Sequence, residues 1–348
     1  MKRARRLAGA AVGAGILLAV QTALSAGSAG RPQHYLIVAV VKPSYRSIVE
    51  VVDARGHRER LLQKPQVAET SAAWSPNRSM VAWTTRAGIM VERANGDRRR
   101  LVFSQPRGVR CSAVCVPLTF AWSPDSRRLL VGGAGRQTNR LLTVSVTGGR
   151  ATDVVRPRAS IEYRIVGWAP NGRQVAYARM SGKFGTGADL VVARPDGTHR
   201  RTLFSLADPI HDDFAAAWSP DSRSIAFATD NRDPHDPTLA IVNVATRAVH
   251  RLEQGGWGSQ RPAWSPDSSR LAVALGAHTV TMATRGGRIH SLGAVTGPSV
   301  VWSPSDQITI AGPDAQPWEV FASPNGAAAA RLIFRLPPNV AVEAIDPR

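Results

Sequence analysis

Apolar residues in this chain come in short runs broken by turn-forming residues, and one combination of the two keeps returning. In Ala217–Phe227 an apolar approach ends in Trp218, Ser219-Pro220-Asp221-Ser222 follows, and a second apolar run begins at Ile225. Pro presets φ at the second turn position, while Ser and Asp side chains bond back to nearby amides. Each copy therefore predicts a β-hairpin. A third run such as Asp189–Ala193 comes somewhat later, closed by a glycine-type turn and a fourth run.

The phrase occurs six times, at Trp74, Trp122, Trp168, Trp218, Trp264 and Trp302, and subtracting successive numbers gives 48, 46, 50, 46 and 38. Self-similarity at about 40 to 50 residues signals a propeller or solenoid array. Four antiparallel strands per repeat describe a propeller blade. The expected class is all-β, a β-propeller of four-stranded antiparallel blades.

Blade number follows from the two ends. The runs Tyr35–Val41, Ser47–Val52 and Glu59–Leu62 make three strands with no preceding Trp hairpin, and one spare apolar run remains at Val340–Ile345. Pairing these two ends completes a blade and closes the ring. Seven third-to-fourth-strand turns agree: Arg55-Gly56, Asn95-Gly96, Gly148-Gly149, Asp196-Gly197, Ala245-Thr246, Gly286-Gly287 and Asn325-Gly326. Seven blades are expected; six are the alternative, because the final repeats are degenerate.

These residues resemble the TolB-like, or PD40 (WD40-like), β-propeller repeat, whose hallmark is a W-S-P-D-G turn, an I-A-F-like strand and a D-G turn before the last strand. The resemblance covers nearly all of the chain after the leader. It implies the fold strongly and the function weakly, because the family includes periplasmic adaptors, propellers attached to peptidases, and sugar lyases. This chain departs by placing Ser or Arg where the family often has Gly after Asp, and its copies at Trp168 and Trp302 are worn.

The first residues change the expected address. A basic start (Lys2, Arg3, Arg5, Arg6), an apolar stretch Leu7–Val20 and small residues Ala23–Ala29 form the three parts of a secretory signal. Residues 1–29 read as a signal peptide, with an uncleaved N-terminal anchor as the alternative, and 31–348 as one propeller domain. The protein is expected to be exported, to the periplasm or envelope or outside the cell. The formal charge of +19 loses the four leader cations, and 44 − 4 − 25 leaves +15. That charge is scattered. Arg98-Arg99-Arg100, Arg127-Arg128 and Arg200-Arg201 read as solvated protection of outer strands, with attraction to an anionic surface as the functional alternative. Nucleic acid is disfavoured as a partner, and a monomer is expected.

Candidate chemistry is sparse. There is no G-x-S-x-G elbow, H-E-x-x-H or Walker A motif. Gly182–Gly187 superficially resembles a phosphate loop but lies between strands, with no helix N-terminus behind it. Cys111 and Cys115, four apart, could staple one loop as a disulfide in an oxidising compartment. A Trp recurring once per blade is expected to pack between blades rather than stack on a ligand.

Function is therefore sought where the copies differ. The connections between the second and third strands, and between blades, share one face and vary: 104–117, 133–138, 181–187, 207–214, 230–237 and 253–261. Scaffold-mounted variable loops are where binding residues usually live. Blade five brings His211, Asp212 and Asp213 in one such loop, and Asp230, Asp233, His235 and Asp236 in another. Five carboxylates and two imidazoles could meet there, a donor set suited to calcium, manganese or zinc, although Asp beside Pro is also ordinary turn chemistry. The reading is a non-catalytic, exported scaffold that binds a protein, peptide or envelope polymer. The alternative is a carbohydrate-active lyase or hydrolase with a metal or His site at the channel mouth. A third possibility is a propeller that supports a separately encoded enzyme.

Overall fold

The computed structural model describes residues 34–41, 44, 46–66, 70–104, 118–133, 140–156, 161–181, 187–206, 215–230, 237–252, 261–275, 278–293, 299–303, 305–312, 319–337 and 340–347. They form seven four-stranded antiparallel sheets. The ring is seven-bladed, which removes the six-bladed alternative. Blade one pairs the final strand, Val340–Pro347, with His34–Val41, from Tyr35 opposite Pro347 to Val41 opposite Val340. Closure thus joins the two ends of the chain, and a bulge between Val38 and Ala39 interrupts the register. Blades two to seven are sequential, their innermost strands being Ala72–Trp74, Thr119–Trp122, Ile161–Trp168, Ala216–Trp218, Ala263–Trp264 and Ser299–Trp302.

Why the ring closes is visible in the alternation of side chains. In His34–Val41, Tyr35, Ile37 and Ala39 pack with Val320 and Phe334 of blade seven. Leu36 and Val38, on the other face, pack with Trp74, Val81 and Trp83 of blade two. A strand apolar on both faces must be covered on both. Each adjacent pair of blades shares one such cluster, and the core is distributed over the seven junctions. Stability then depends on neighbour contacts, as in other repeat arrays.

The residue after Asp in the repeat shows what the family's Gly is for. Arg78, Ser126, Ser222, Ser268 and Asp306 all take φ between 59 and 64, and Gly172 takes 71 in the equivalent place. Every copy needs the left-handed conformation there, which costs a non-glycine residue on the order of 1 kcal/mol. The worn copy at Trp302 is one residue shorter: the Ser303 amide bonds the Gln307 carbonyl, whereas the Ser123 amide bonds that of Arg128.

Candidate functional site

The two faces of the ring divide the work. On the face carrying the Trp-Ser-Pro turns, polar groups are consumed locally and between neighbours. The Ser219 hydroxyl donates to Asp221 at 2.5 Å, and Asp221 accepts from the Arg223 amide at 2.9 Å. In blade six the Ser265 hydroxyl does the same and holds the Asp267 carboxyl down to about 2. Neighbouring turns are joined as well. Indole Nε1 of Trp122, Trp218 and Trp264 donates to the carbonyl of Ala73, Gly167 and Ala217, the residue before the Trp of the preceding blade, at 3.0 to 3.2 Å. All six repeat Trp side chains are buried, at 7% exposure or less.

Buried carboxylates are likewise engaged. Glu92 in blade two meets Arg99 at 2.5 Å and Arg60 of blade one at 3.3 Å. Glu50 meets Arg58 at 2.5 Å. Asp346, on the closing strand, accepts from the Trp74 amide at 2.9 Å and from Arg78 at 3.0 Å. Burial pushes its carboxyl up, against the pull of Arg78 and the amide. The outer-strand arginines do more than face solvent. Arg200 bonds the Val154 carbonyl of blade three at 3.0 Å, and Arg201 bonds the Val244 and Ala245 carbonyls of blade five.

The strand ends that lead into the variable connections lie on the opposite face. His211, Asp212, Asp213, Asp233, His235 and Asp236 lie outside the described residues, as do Cys111 and Cys115. Asp230 is described only in its backbone, at the end of Ser224–Asp230, paired with Pro237. The two strand ends that carry the second loop of blade five are therefore adjacent. Among the described residues, no three His, Cys, Asp or Glu side chains are grouped to hold a metal ion.

Near this face, one cation lies where sequence spacing could not put it. Arg261, just ahead of the inner strand of blade six, donates to the Val166 carbonyl of blade four, reaching past blade five. The acceptor sits at a bulge between Ile165 and Gly167, which interrupts the regular pairing there. Arg261 keeps intermediate exposure overall, but its guanidinium is enclosed, and burial lowers it to about 10. It remains charged at neutral pH. Two residues from Val166, Arg164 meets Glu162 at 2.7 Å, its side chain only 13% exposed.

No described helix is long and apolar enough to cross a membrane. No protein-family model matches the chain. Over 86 residues, a quarter of its length, the chain is 33% identical to the Tol-Pal system protein TolB of Alcanivorax borkumensis; the match spans 19% of that protein. In fold, the chain is similar to an oligogalacturonate lyase solved with manganese, at a TM-score of 0.65, 12% identity and 86% coverage of both chains. It is also similar to a puromycin-hydrolysing peptidase of Mycobacterium tuberculosis, at a TM-score of 0.60 and 16% identity, covering 92% of this chain and 57% of that one. At such identities the likeness shows the fold and carries no activity across. The chain is a seven-bladed β-propeller whose repeats are similar to those of TolB.

Proposed function

We propose that this protein is an exported, non-catalytic scaffold of the cell envelope that binds a protein, peptide or envelope polymer through its variable-loop face. The observation that supports this reading is the division of labour between the faces. The repeated turns spend their hydroxyls and carboxylates within themselves and three of the indoles on backbone carbonyls of the preceding blade, which makes a rigid mount. Recognition is left to the loops that differ from blade to blade. The TolB-like repeat adds support for an envelope setting with a protein partner.

Blade five supplies the polar centre of the proposed surface. His211, Asp212, Asp213, Asp230, Asp233, His235 and Asp236 bring acidity to a chain that is otherwise strongly basic. A divalent cation held by these groups is part of the same proposal, and it would give a partner's carboxylates or hydroxyls a further ligand. Residues 31–348 form the exported domain, and 1–29 are its leader.

The test replaces His211, Asp212, Asp213, Asp233, His235 and Asp236 together with Ser or Asn, keeping both connections at full length. Wild type and variant are immobilised and exposed to envelope extract, and retained proteins and glycans are identified. A ligand retained by wild type and lost by a variant with an unchanged melting temperature supports the reading. Equal retention by both removes blade five from it. Calorimetric titration of chelator-stripped protein with Ca²⁺, Mn²⁺ and Zn²⁺ checks the cation, and the absence of heat removes that element.

A further inference from the structure

Between blades three and four lies a groove of 860 Å³, lined by residues of those two blades and by none of blade five. One wall is the outermost strand of blade three, Thr152–Val155, with the turn before it; the other is blade four. Two contacts fix its width. Gly197, at φ +81, approaches blade three so closely that a Cβ there would stand 2.2 Å from the Val154 carbonyl oxygen. Arg200 then donates Nε to the Gly197 carbonyl at 2.9 Å and Nη2 to the Val154 carbonyl at 3.0 Å. The groove is built in, without closure on a ligand.

Its floor is aromatic. Tyr163 and Tyr177 meet edge to face with centroids 5.8 Å apart, and they are 4% and 3% exposed. Among the described residues the Tyr177 hydroxyl has no hydrogen-bond partner, and Tyr177 lines the groove. The ring is buried, and its side chain borders the open groove. Burial pushes this phenol up, while the charges of Arg200 and Arg179 pull the other way, so both guanidinia lie within electrostatic reach of it.

The lining is strongly cationic. Arg150, Arg156, Arg179, Arg200 and Arg201 face Asp153 and Asp196, so 5 − 2 gives +3, and Asp189, which pairs with Arg179, reduces this to +2. Asp196 is occupied by the amide and hydroxyl of Thr198, and Asp153 meets Arg140 at 3.6 Å. Exposed Arg150 and Arg156 have no ionic or hydrogen-bonding partner among the described residues. What the groove offers is donors: free guanidinium forks on one wall, Arg200 on the other, and a phenol O–H below. The nearby Gly197 and Val154 carbonyls are already taken.

The geometry points to a second binding site on this protein: the groove between blades three and four takes a phosphoryl group, held by Arg150, Arg156 and Arg200, with the Tyr177 hydroxyl donating from the floor. Arginine forks recognise phosphate and carboxylate alike. Donors arriving from two walls and the floor suit a tetrahedral group with oxygens in several directions better than a planar carboxylate. The phosphoryl group comes either from a soluble phosphate ester or from the headgroup of an anionic lipid.

Calorimetry of the purified protein at low salt with pyrophosphate and glucose 6-phosphate, beside sedimentation with phosphatidylglycerol and phosphatidylcholine vesicles, tests the site and separates the sources. Binding of either soluble phosphate, or of phosphatidylglycerol vesicles alone, supports it when Arg150→Gln/Arg156→Gln weakens that binding about tenfold and Tyr177→Phe by about fivefold, the expected scale for lost charge-assisted and neutral hydrogen bonds. Melting temperatures should not move, and Arg285→Gln, on blade six, should leave affinity unchanged. No binding of any phosphate probe, equal affinity in the Arg150→Gln/Arg156→Gln variant, or citrate binding as tightly as pyrophosphate overturns the assignment.

Discussion

The hydroxyl of Ser222 accepts the backbone N–H of Asn171 at 3.0 Å, so the turn of blade five is tied to that of blade four by the very residue that stands where the repeat usually has glycine. Ser126 accepts from Asn77, and Ser268 from Asp221, both at 3.1 Å. The departure from glycine costs left-handed strain and returns an inter-blade hydrogen bond. Both effects are on the order of 1 kcal/mol. Ser222→Ala keeps the strain and loses the bond, so it should destabilise by about 1 kcal/mol. Ser222→Gly loses both and should lie close to wild type. Denaturant unfolding of the pair checks this, and an alanine variant as stable as the glycine variant would contradict it.

The closing strand is tied to blade two by a pair 268 positions apart in sequence. Asp346, 1% exposed in its side chain, is held by Arg78 of blade two. Its folded carboxyl is raised above its unfolded value, chiefly by burial. A raised carboxyl favours the fold at low pH, below its unfolded value, and that contribution is lost as pH rises through the folded value. Arg78→Gln removes the compensating charge and should raise Asp346 further. The cost should then reach about 3 to 5 kcal/mol at neutral pH, as for other broken buried pairs, and shrink near pH 4. Adding Asp346→Asn should remove the pH dependence. Urea titrations at pH 4 and pH 7 on the single and double variants measure it.

Gly197 and Gly149 separate close approach from conformational strain. Both have positive φ, 81 and 113, but a Cβ at Gly149 would meet nothing within 4 Å. Gly149→Ala should cost about 1 kcal/mol from strain alone. Gly197→Ala must also push blade three away from blade four, so it should cost roughly 1 to 3 kcal/mol more. If the two melt alike, the Gly197–Val154 contact does not set the junction.

How much of this was legible in the chain depends on the range of each interaction. The Trp-Ser-Pro-Asp hairpins are local chemistry repeated six times, and the split blade follows from one strand missing at His34 and one spare at Val340. The pairing of Ser222 with Asn171, of Arg78 with Asp346, and of Arg200 with Val154 joins residues from different blades. No spacing rule connects them, so Ser222 reads only as a departure from the family's glycine and Arg200 as a solvated edge. The groove between blades three and four is hidden for the same reason, since Arg150, Tyr177 and Arg200 come from three separate runs. The acidic loops of blade five stand out by composition, but their convergence depends on loop conformations that composition does not determine.

The tryptophans give the sharpest test of whether the repeat is scaffold or site. Trp218 is 5% exposed, packs with Val166, Ala216 and Ile225, and donates to the Gly167 carbonyl at 3.2 Å. Trp218→Ala removes a large core aromatic and should cost about 3 to 5 kcal/mol. Trp218→Phe keeps part of the buried area, loses the indole donor and leaves an inner-strand carbonyl short of a partner, so it should cost less. Any ligand binding should fall only in proportion to the folded fraction of each variant. The check is to measure unfolding and binding on the same samples at a temperature where the phenylalanine variant is fully folded. A folded Trp218→Phe protein that had lost its ligand would put the indole in the binding surface and contradict the division between a structural face and a recognising one.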